Sequence, residues 1–290
     1  EIPKFYDRIF QENKDLSWIN LETSRGCPFG CKFCTWGYDK KMRYFDVERV
    51  KKDLDEILEQ DQIKSIYFCD SSLLLKKERA REILKHIIKS GRKISARYEF
   101  DVEYLDDETI ELLAELPDHE FNFGLQSVNK DVLKLMDRRF KQERFEERFN
   151  KLTKAIPHAK ITVDLIYGLP GDTIQGYKES LDYALSLRGV SRILTNPLIA
   201  LPGADYFVER SKFGIKLEDE HSDSSFVIRE TTTFPEADIE QARKYSFFVA
   251  TVLMNRALRD NLKNLADQKG ESYLKTIGNF MESLPFGLVS

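Results

Sequence analysis

Trp18-Ile19-Asn20-Leu21-Glu22-Thr23-Ser24-Arg25-Gly26-Cys27-Pro28-Phe29-Gly30-Cys31-Lys32-Phe33-Cys34 joins a short apolar run to three cysteines within eight residues. The run predicts a β-strand, and Gly26 and Gly30 make the segment after it a supple loop. Working outward, five more apolar runs rich in Ile, Val, Phe and Tyr follow: Ile63–Phe68, Ile94–Phe100, Glu120–Leu125, Ile161–Tyr167 and Arg192–Leu198. Helical patterns separate them. From Asp46, residues Val47, Val50, Leu54, Ile57 and Leu58 share one face, and Ala80, Ile83, Leu84, Ile87 and Ile88 do so before Gly91 stops the next helix. Alternation of strand and helix means an α/β fold with a parallel sheet. Six units fall two short of the closed eight-stranded barrel, so the spacing predicts a partial (β/α)6 barrel with its chemistry at the carboxyl ends of the strands. Glu22, Asp70, Glu99, Gln126, Gly168 and Pro197 end or follow the strands and gather polar and turn-forming groups at that rim.

The alternation spans residues 18–213, which we take as one domain, preceded by a linker over 1–17 and followed by a helical C-terminal extension over 214–290. In that extension a polar stretch leads to a long helical pattern from Ile239 to about Leu262, and a last helix over Ser272–Glu282. The 45 basic and 49 acidic residues are well mixed, so no one-signed field favours bulk nucleic acid. No apolar run reaches the roughly 20 residues needed to cross a bilayer, and no signal peptide opens the chain, which reads as cytoplasmic. It begins at Glu1 rather than Met, which predicts a piece of a longer protein.

Cysteines this close cannot all pair as disulfides, so a metal centre fits Cys27, Cys31 and Cys34 better. Structural zinc usually takes two pairs of ligands. Here there is one trio, while His86, His119, His158 and His221 lie far along the chain, so a zinc loop would need a distant fourth ligand, with Cys69 the obvious candidate. At the end of a strand, Cys69 is by default a packed thiol. An iron–sulfur cubane held by three thiolates instead leaves one iron open to a ligand.

A Cys-x3-Cys-x2-Cys loop at the end of a first barrel strand resembles the radical S-adenosylmethionine (SAM) superfamily, and further motifs follow in order. Leu21 to Cys27, with Thr35-Trp36-Gly37, resembles the branch that pairs this domain with an upstream cobalamin-binding domain. Phe33 matches a position packed near adenine. Phe68-Cys69-Asp70-Ser71-Ser72 stands where the family contacts the methionine end of the cofactor. Gly124-Leu125-Gln126-Ser127, with Arg138 twelve residues after Gln126, resembles the fourth-strand motif whose arginine helps hold the cofactor carboxylate. Asp164-Leu165-Ile166-Tyr167-Gly168-Leu169-Pro170-Gly171 resembles the adenine-contacting motif, and Pro202 and Gly203 follow the sixth strand. One departure is Asp101, two residues after Glu99, where that branch often carries a base.

The resemblance implies an enzyme that cleaves SAM reductively at a [4Fe-4S] cluster on Cys27, Cys31 and Cys34, giving a 5′-deoxyadenosyl radical for hydrogen abstraction. Glu99, Gln126 and Arg138 would meet the amino-acid moiety, with Asp70 and Ser71. Phe33, Ile166, Tyr167 and Gly168 would seat adenine. Cobalamin-linked methylation or rearrangement of a peptide or small natural product is the leading expectation, with a flavodoxin or ferredoxin as reductant. A cobalamin-free oxidative cyclase or methylthiotransferase is the alternative, although the chain has no second cysteine cluster of the kind methylthiolation uses. From another class, a zinc-bearing binding module would fit the trio. The Asp-x-His-x-x-Gly motif of cobalamin domains is not found. Its nearest match, Asp219 to Ser224, lacks the glycine, so corrin binding is expected only through an upstream domain.

Overall fold

The computed structural model of the chain describes residues 5–219 and 226–283. Helix α1 (Phe5–Glu12) and strand β1 (Trp18–Leu21) come first, then a two-stranded ribbon of β2 (Ser24–Arg25) and β3 (Arg43–Tyr44), between which the cysteine loop runs. The alternation continues with α2 (Val47–Leu58), β4 (Ser65–Phe68), α3 (Lys77–Lys89), β5 (Ser95–Glu99), α4 (Asp107–Ala114) and β6 (Asp118–Gln126). After α5 (Lys130–Leu135) and α6 (Gln142–Ala155) come β7 (Lys160–Tyr167), α7 (Ile174–Ser186), β8 (Val190–Pro197) and α8 (Asp205–Val208). A short ribbon of β9 (Lys216–Leu217) and β10 (Ile228–Glu230) precedes α9 (Glu236–Met254), α10 (Arg256–Lys269) and α11 (Tyr273–Ser283).

Six strands form one sheet in the order β1-β4-β5-β6-β7-β8, with parallel pairing along it. Strand order follows chain order without a reversal. A doubly wound sheet would reverse at a switch point, whereas a barrel winds one way, so the partial-barrel expectation is met. Each predicted strand forms with its ends moved by a residue or two.

The chain divides into two compact units. The first holds Glu1–Pro28, Asp39–Phe123 and Glu143–Lys160. There Asp46 caps α2 by accepting from the Arg49 amide, and Val50, Leu54, Ile57 and Leu58 are buried, as are Ala80, Ile83, Leu84 and Ile87 of α3. On the helix-covered side of the strands, Phe68, Tyr98, Phe121 and Phe123 form a ladder with centroids 5.2 to 6.0 Å apart. The alternate positions Tyr67, Arg97, Glu99 and Glu120 turn the other way and stay half-buried or exposed. Within the span expected as a linker, α1 buries Tyr6 and Phe10 and packs on α2.

The second unit holds Phe29–Tyr38, Gly124–Gln142 and Ile161–Ser290. There α9 packs on β8, and Tyr177 of α7 lies tilted against Tyr167 and shares a hydrogen bond with Ser246 of α9 at 2.7 Å. The single long helix expected from Ile239 is two helices. Asn255 breaks it, because its side chain accepts from the Leu258 amide and starts α10. Residues 1–4 of the expected linker and 284–290 of the expected extension lie outside the described residues, as does most of the Asp219–Ser224 string, His221 included.

Candidate functional site

The cysteine loop is chain-continuous across both units, with Cys27 in the first and Cys31 and Cys34 in the second. All three thiols are half-buried and none is in a disulfide. Among the described residues no three His, Cys, Asp or Glu side chains stand close enough to share one metal ion. A tetrahedral zinc, about 2.3 Å from each sulfur, would need that convergence. A cubane takes one thiolate at each of three iron corners, so three cysteines on one loop are the donor chemistry of an iron–sulfur cluster.

In the first unit the loop leaves β1 under tight control. Asp70 is 1% exposed, and its Oδ1 accepts from the hydroxyls of Thr23 at 3.0 Å and Ser24 at 2.5 Å. Burial raises the Asp70 pKa, and the two hydroxyls pull it back. Ser71 donates from Oγ to the Gly26 carbonyl at 2.6 Å. Both side chains predicted to meet the cofactor are therefore engaged with the loop itself. Glu99 is half-buried on the polar side of β5 and accepts from the Tyr67 hydroxyl at 2.5 Å. Cys69 donates weakly to the Tyr67 carbonyl at 3.7 Å. Burial, then the carboxylates of Asp70, Glu22 and Glu99, push its pKa up, which opposes the thiolate a metal ligand must become.

In the second unit Arg138 reaches the loop. Its Nη1 lies 3.7 Å from Cys31 Sγ, and its Nη2 donates to the Gly124 carbonyl. Gly124 makes room for this: a Cβ there would come within 2.5 Å of Gln126 Nε2 and 3.4 Å of Arg138 Nη2. Gln126 itself sits at φ 67°, a left-handed conformation that costs a non-glycine residue about 1 to 3 kcal/mol and so marks a constrained position. Gly124, Gln126 and Arg138 thus form one constellation beside Cys31. Phe33 is half-buried on the same segment. At the end of β7, Ile166 is half-buried, whereas Tyr167 is 3% exposed on the side that packs on Tyr177. Gly168, at φ 79°, would press a Cβ onto Ile228 and Ile239, so its lack of a side chain serves packing by β10 and α9.

Sequence reasoning missed Thr23 and Ser24 as partners of Asp70, and it missed Arg79, which donates to Thr23 Oγ1 at 2.9 Å, the Thr23 carbonyl at 2.8 Å and the Phe45 carbonyl at 3.0 Å. A Thr-Ser pair directly before the loop is the only local signal, and it does not name its partner. Asp172 was missed too. It is 1% exposed, accepts from the Thr173 amide at 2.9 Å, and burial raises its pKa to about 6.

The sequence profile of the radical SAM superfamily matches residues 21–184. Over 183 residues the chain is 31% identical to tRNA-2-methylthio-N(6)-dimethylallyladenosine synthase of Bacillus licheniformis, covering 58% of this chain and 34% of that one. Over 167 residues it is 28% identical to an uncharacterized methyltransferase of Pyrococcus horikoshii, covering 57% and 36%. Among solved structures, the radical SAM methyltransferase TsrM of Kitasatospora setae, bound to tryptophan and a SAM analog, superposes with a TM-score of 0.61 at 16% identity over 75% of this chain and 44% of that one. The cobalamin-dependent SAM radical enzyme OxsB, with aqua-cobalamin and SAM bound, gives 0.57 at 14% identity over 91% and 45%. At such identities the likeness speaks for the fold alone. The chain spans about a third of the length of the curated relatives it matches.

Proposed function

Because this chain belongs to the radical SAM superfamily, we propose that it is the radical-generating part of a cobalamin-linked enzyme that methylates or rearranges a peptide or small natural product. Residues 18–213 are its radical domain and 214–290 a helical extension. Cys27, Cys31 and Cys34 would hold a [4Fe-4S] cluster. When bound, that cluster and SAM supply one-electron cleavage of a carbon–sulfur bond, and with it the 5′-deoxyadenosyl radical. The chain's own residues bind and orient. Arg138 offers its guanidinium to the cofactor carboxylate, Gln126 and Glu99 offer hydrogen bonds to the amino-acid moiety, and Phe33 and Ile166 offer apolar surface to adenine. Tyr167 and Gly168 close the end of β7, with Tyr167 against Tyr177 and Gly168 against Ile228 and Ile239.

The observation that carries this reading is Arg138 beside Cys31. The resemblance singled out the two residues independently, 107 positions apart, for one cofactor. A cytoplasmic setting and a flavodoxin or ferredoxin donor suit cysteines that must stay reduced. Membership of the family sets the zinc-module alternative aside. The identity to a methylthio synthase favours a second reading, methylthiolation of a nucleoside. Anaerobic reconstitution, reduction and incubation with SAM should yield 5′-deoxyadenosine by chromatography, and its absence with a full cluster would sink the radical reading. Full-length protein that retains cobalamin through gel filtration supports methylation, while full-length protein with none and a second cluster supports methylthiolation.

A further inference from the structure

We infer that Asp70, Thr23, Ser24, Ser71 and Arg79 form a positioning device that sets where Cys27 presents its thiolate. This rests on the proposal that Cys27 is a cluster ligand. The network lies wholly within the first unit. Between the end of β1 and Cys27, the chain is tied at nearly every step. The Cys69 amide donates to the Leu21 carbonyl at 2.9 Å. Thr23 and Ser24 turn their hydroxyls onto Asp70. Arg79 clamps Thr23 by hydroxyl and carbonyl and reaches across to the Phe45 carbonyl, whose own residue donates its amide to the Thr23 carbonyl at 3.1 Å. Ser71 holds the Gly26 carbonyl. Gly26, at φ 94°, could not carry a side chain because the Lys41 carbonyl occupies the space. Cys27 is the next residue.

A buried carboxylate is an expensive way to hold a loop. Apolar side chains of similar volume would ordinarily stabilise as well or better. What a carboxylate adds is direction: it accepts from two hydroxyls at fixed angles, and Asp70 Oδ2 finds no partner among the described residues, so the group is not there to saturate its own bonds. Asp70 Oδ1 and Ser71 Oγ are both engaged with residues that lead into Cys27. Their influence on the cofactor passes through the backbone of residues 23–27, which makes them positioning residues rather than contacts.

The test uses the full chain with Asp70→Asn, Thr23→Val, Thr23→Ser and Ser71→Ala. In cluster-free protein, amide hydrogen exchange over residues 23–27 and the alkylation rate of Cys27, measured against Cys34 in the same molecule, should each rise about tenfold in Asp70→Asn and Thr23→Val. Thr23→Ser keeps the hydroxyl and should behave as wild type. After reconstitution, Asp70→Asn and Thr23→Val should lose iron to a chelator about tenfold faster, with a shifted electron-paramagnetic-resonance signal of the reduced cluster. If Asp70→Asn does not fold, the Thr23→Val and Thr23→Ser pair decides alone. Folded Thr23→Val and Ser71→Ala with wild-type Cys27 alkylation and wild-type iron release would overturn the inference. A wild-type chain that takes up no iron yet shows the alkylation differences would instead sink the cluster reading and leave the positioning intact.

Discussion

Thr23 and Ser24, on the incoming limb of the cysteine loop, turn their hydroxyls onto a carboxylate that is 1% exposed. The outgoing limb is held mostly by main chain: the Lys32 amide donates to the Met136 carbonyl at 3.0 Å, and the Lys32 carbonyl accepts from the Tyr206 amide at 2.9 Å. On that side the charged group, Arg138, faces a cysteine sulfur instead of holding the backbone by a buried carboxylate. Side-chain bonds can be deleted one atom at a time, whereas main-chain bonds survive most substitutions. Changes before Cys27 should therefore alter loop order and stability, and changes around Cys31 should alter what the loop binds.

The largest effect tests what the two limbs share. Cys27→Ala, Cys31→Ala and Cys34→Ala should each abolish cluster absorbance and SAM cleavage, because two thiolates do not hold a cubane stably. Cys69→Ala should spare both. Equal loss in Cys69→Ala would give the cluster a fourth protein ligand and close the open iron.

The two glycines separate the limbs next. Gly26→Ala forces a positive φ and a Cβ onto the Lys41 backbone carbonyl, and it should cost about 3 kcal/mol or more, read from the denaturant midpoint. Gly124→Ala meets only the flexible ends of Gln126 and Arg138, so it should cost under about 1 kcal/mol in stability while weakening SAM binding. The reverse order would dissolve the contrast.

Buried carboxylates sharpen it further. Among the described residues Oδ2 of each finds no partner, but Asp70 Oδ1 accepts from two hydroxyls whereas Asp172 Oδ1 accepts from one amide. Burial pushes the Asp172 carboxyl up to about 6 from the ordinary 3.8, so the folded chain binds more protons between those values. Stability should then fall as pH rises from about 4 to 6, by at most about 3 kcal/mol, and stay level above. Asp172→Asn should flatten that slope in chemical denaturation. An unchanged slope would show that the carboxyl is not the source.

Arg138→Ala should keep the cluster and weaken SAM binding by tenfold or more by equilibrium titration, the loss expected of a charge-assisted contact worth about 1.5 to 3 kcal/mol. An unchanged dissociation constant would reduce Arg138 to a support of the Gly124 carbonyl.

Much of the site was legible because its residues are bound to strand ends. Cys27, Gln126 and Ile166 follow or end apolar runs, and alternation along a strand tells which neighbours share a face. It was also legible in principle that Ile166 and Tyr167 point opposite ways, since the period is 2. What pairs with Asp70 was not legible, because Thr23 and Ser24 lie 47 and 46 residues away and nothing local links them. The C-terminal region was read only in outline. Asn255 looks like any helical polar residue until its side chain is seen capping α10.

By itself the sequence determined the strand-helix alternation, the trio of thiols and the family, since periodicity and covalent spacing are local properties of the chain. Tertiary structure alone decided that Arg138 meets Cys31, that Asp70 turns inward to the loop, and that Gly168 yields its space to Ile228 and Ile239. Those are contacts between distant segments, and their geometry follows from how the sheet and its helices pack, which no local pattern encodes.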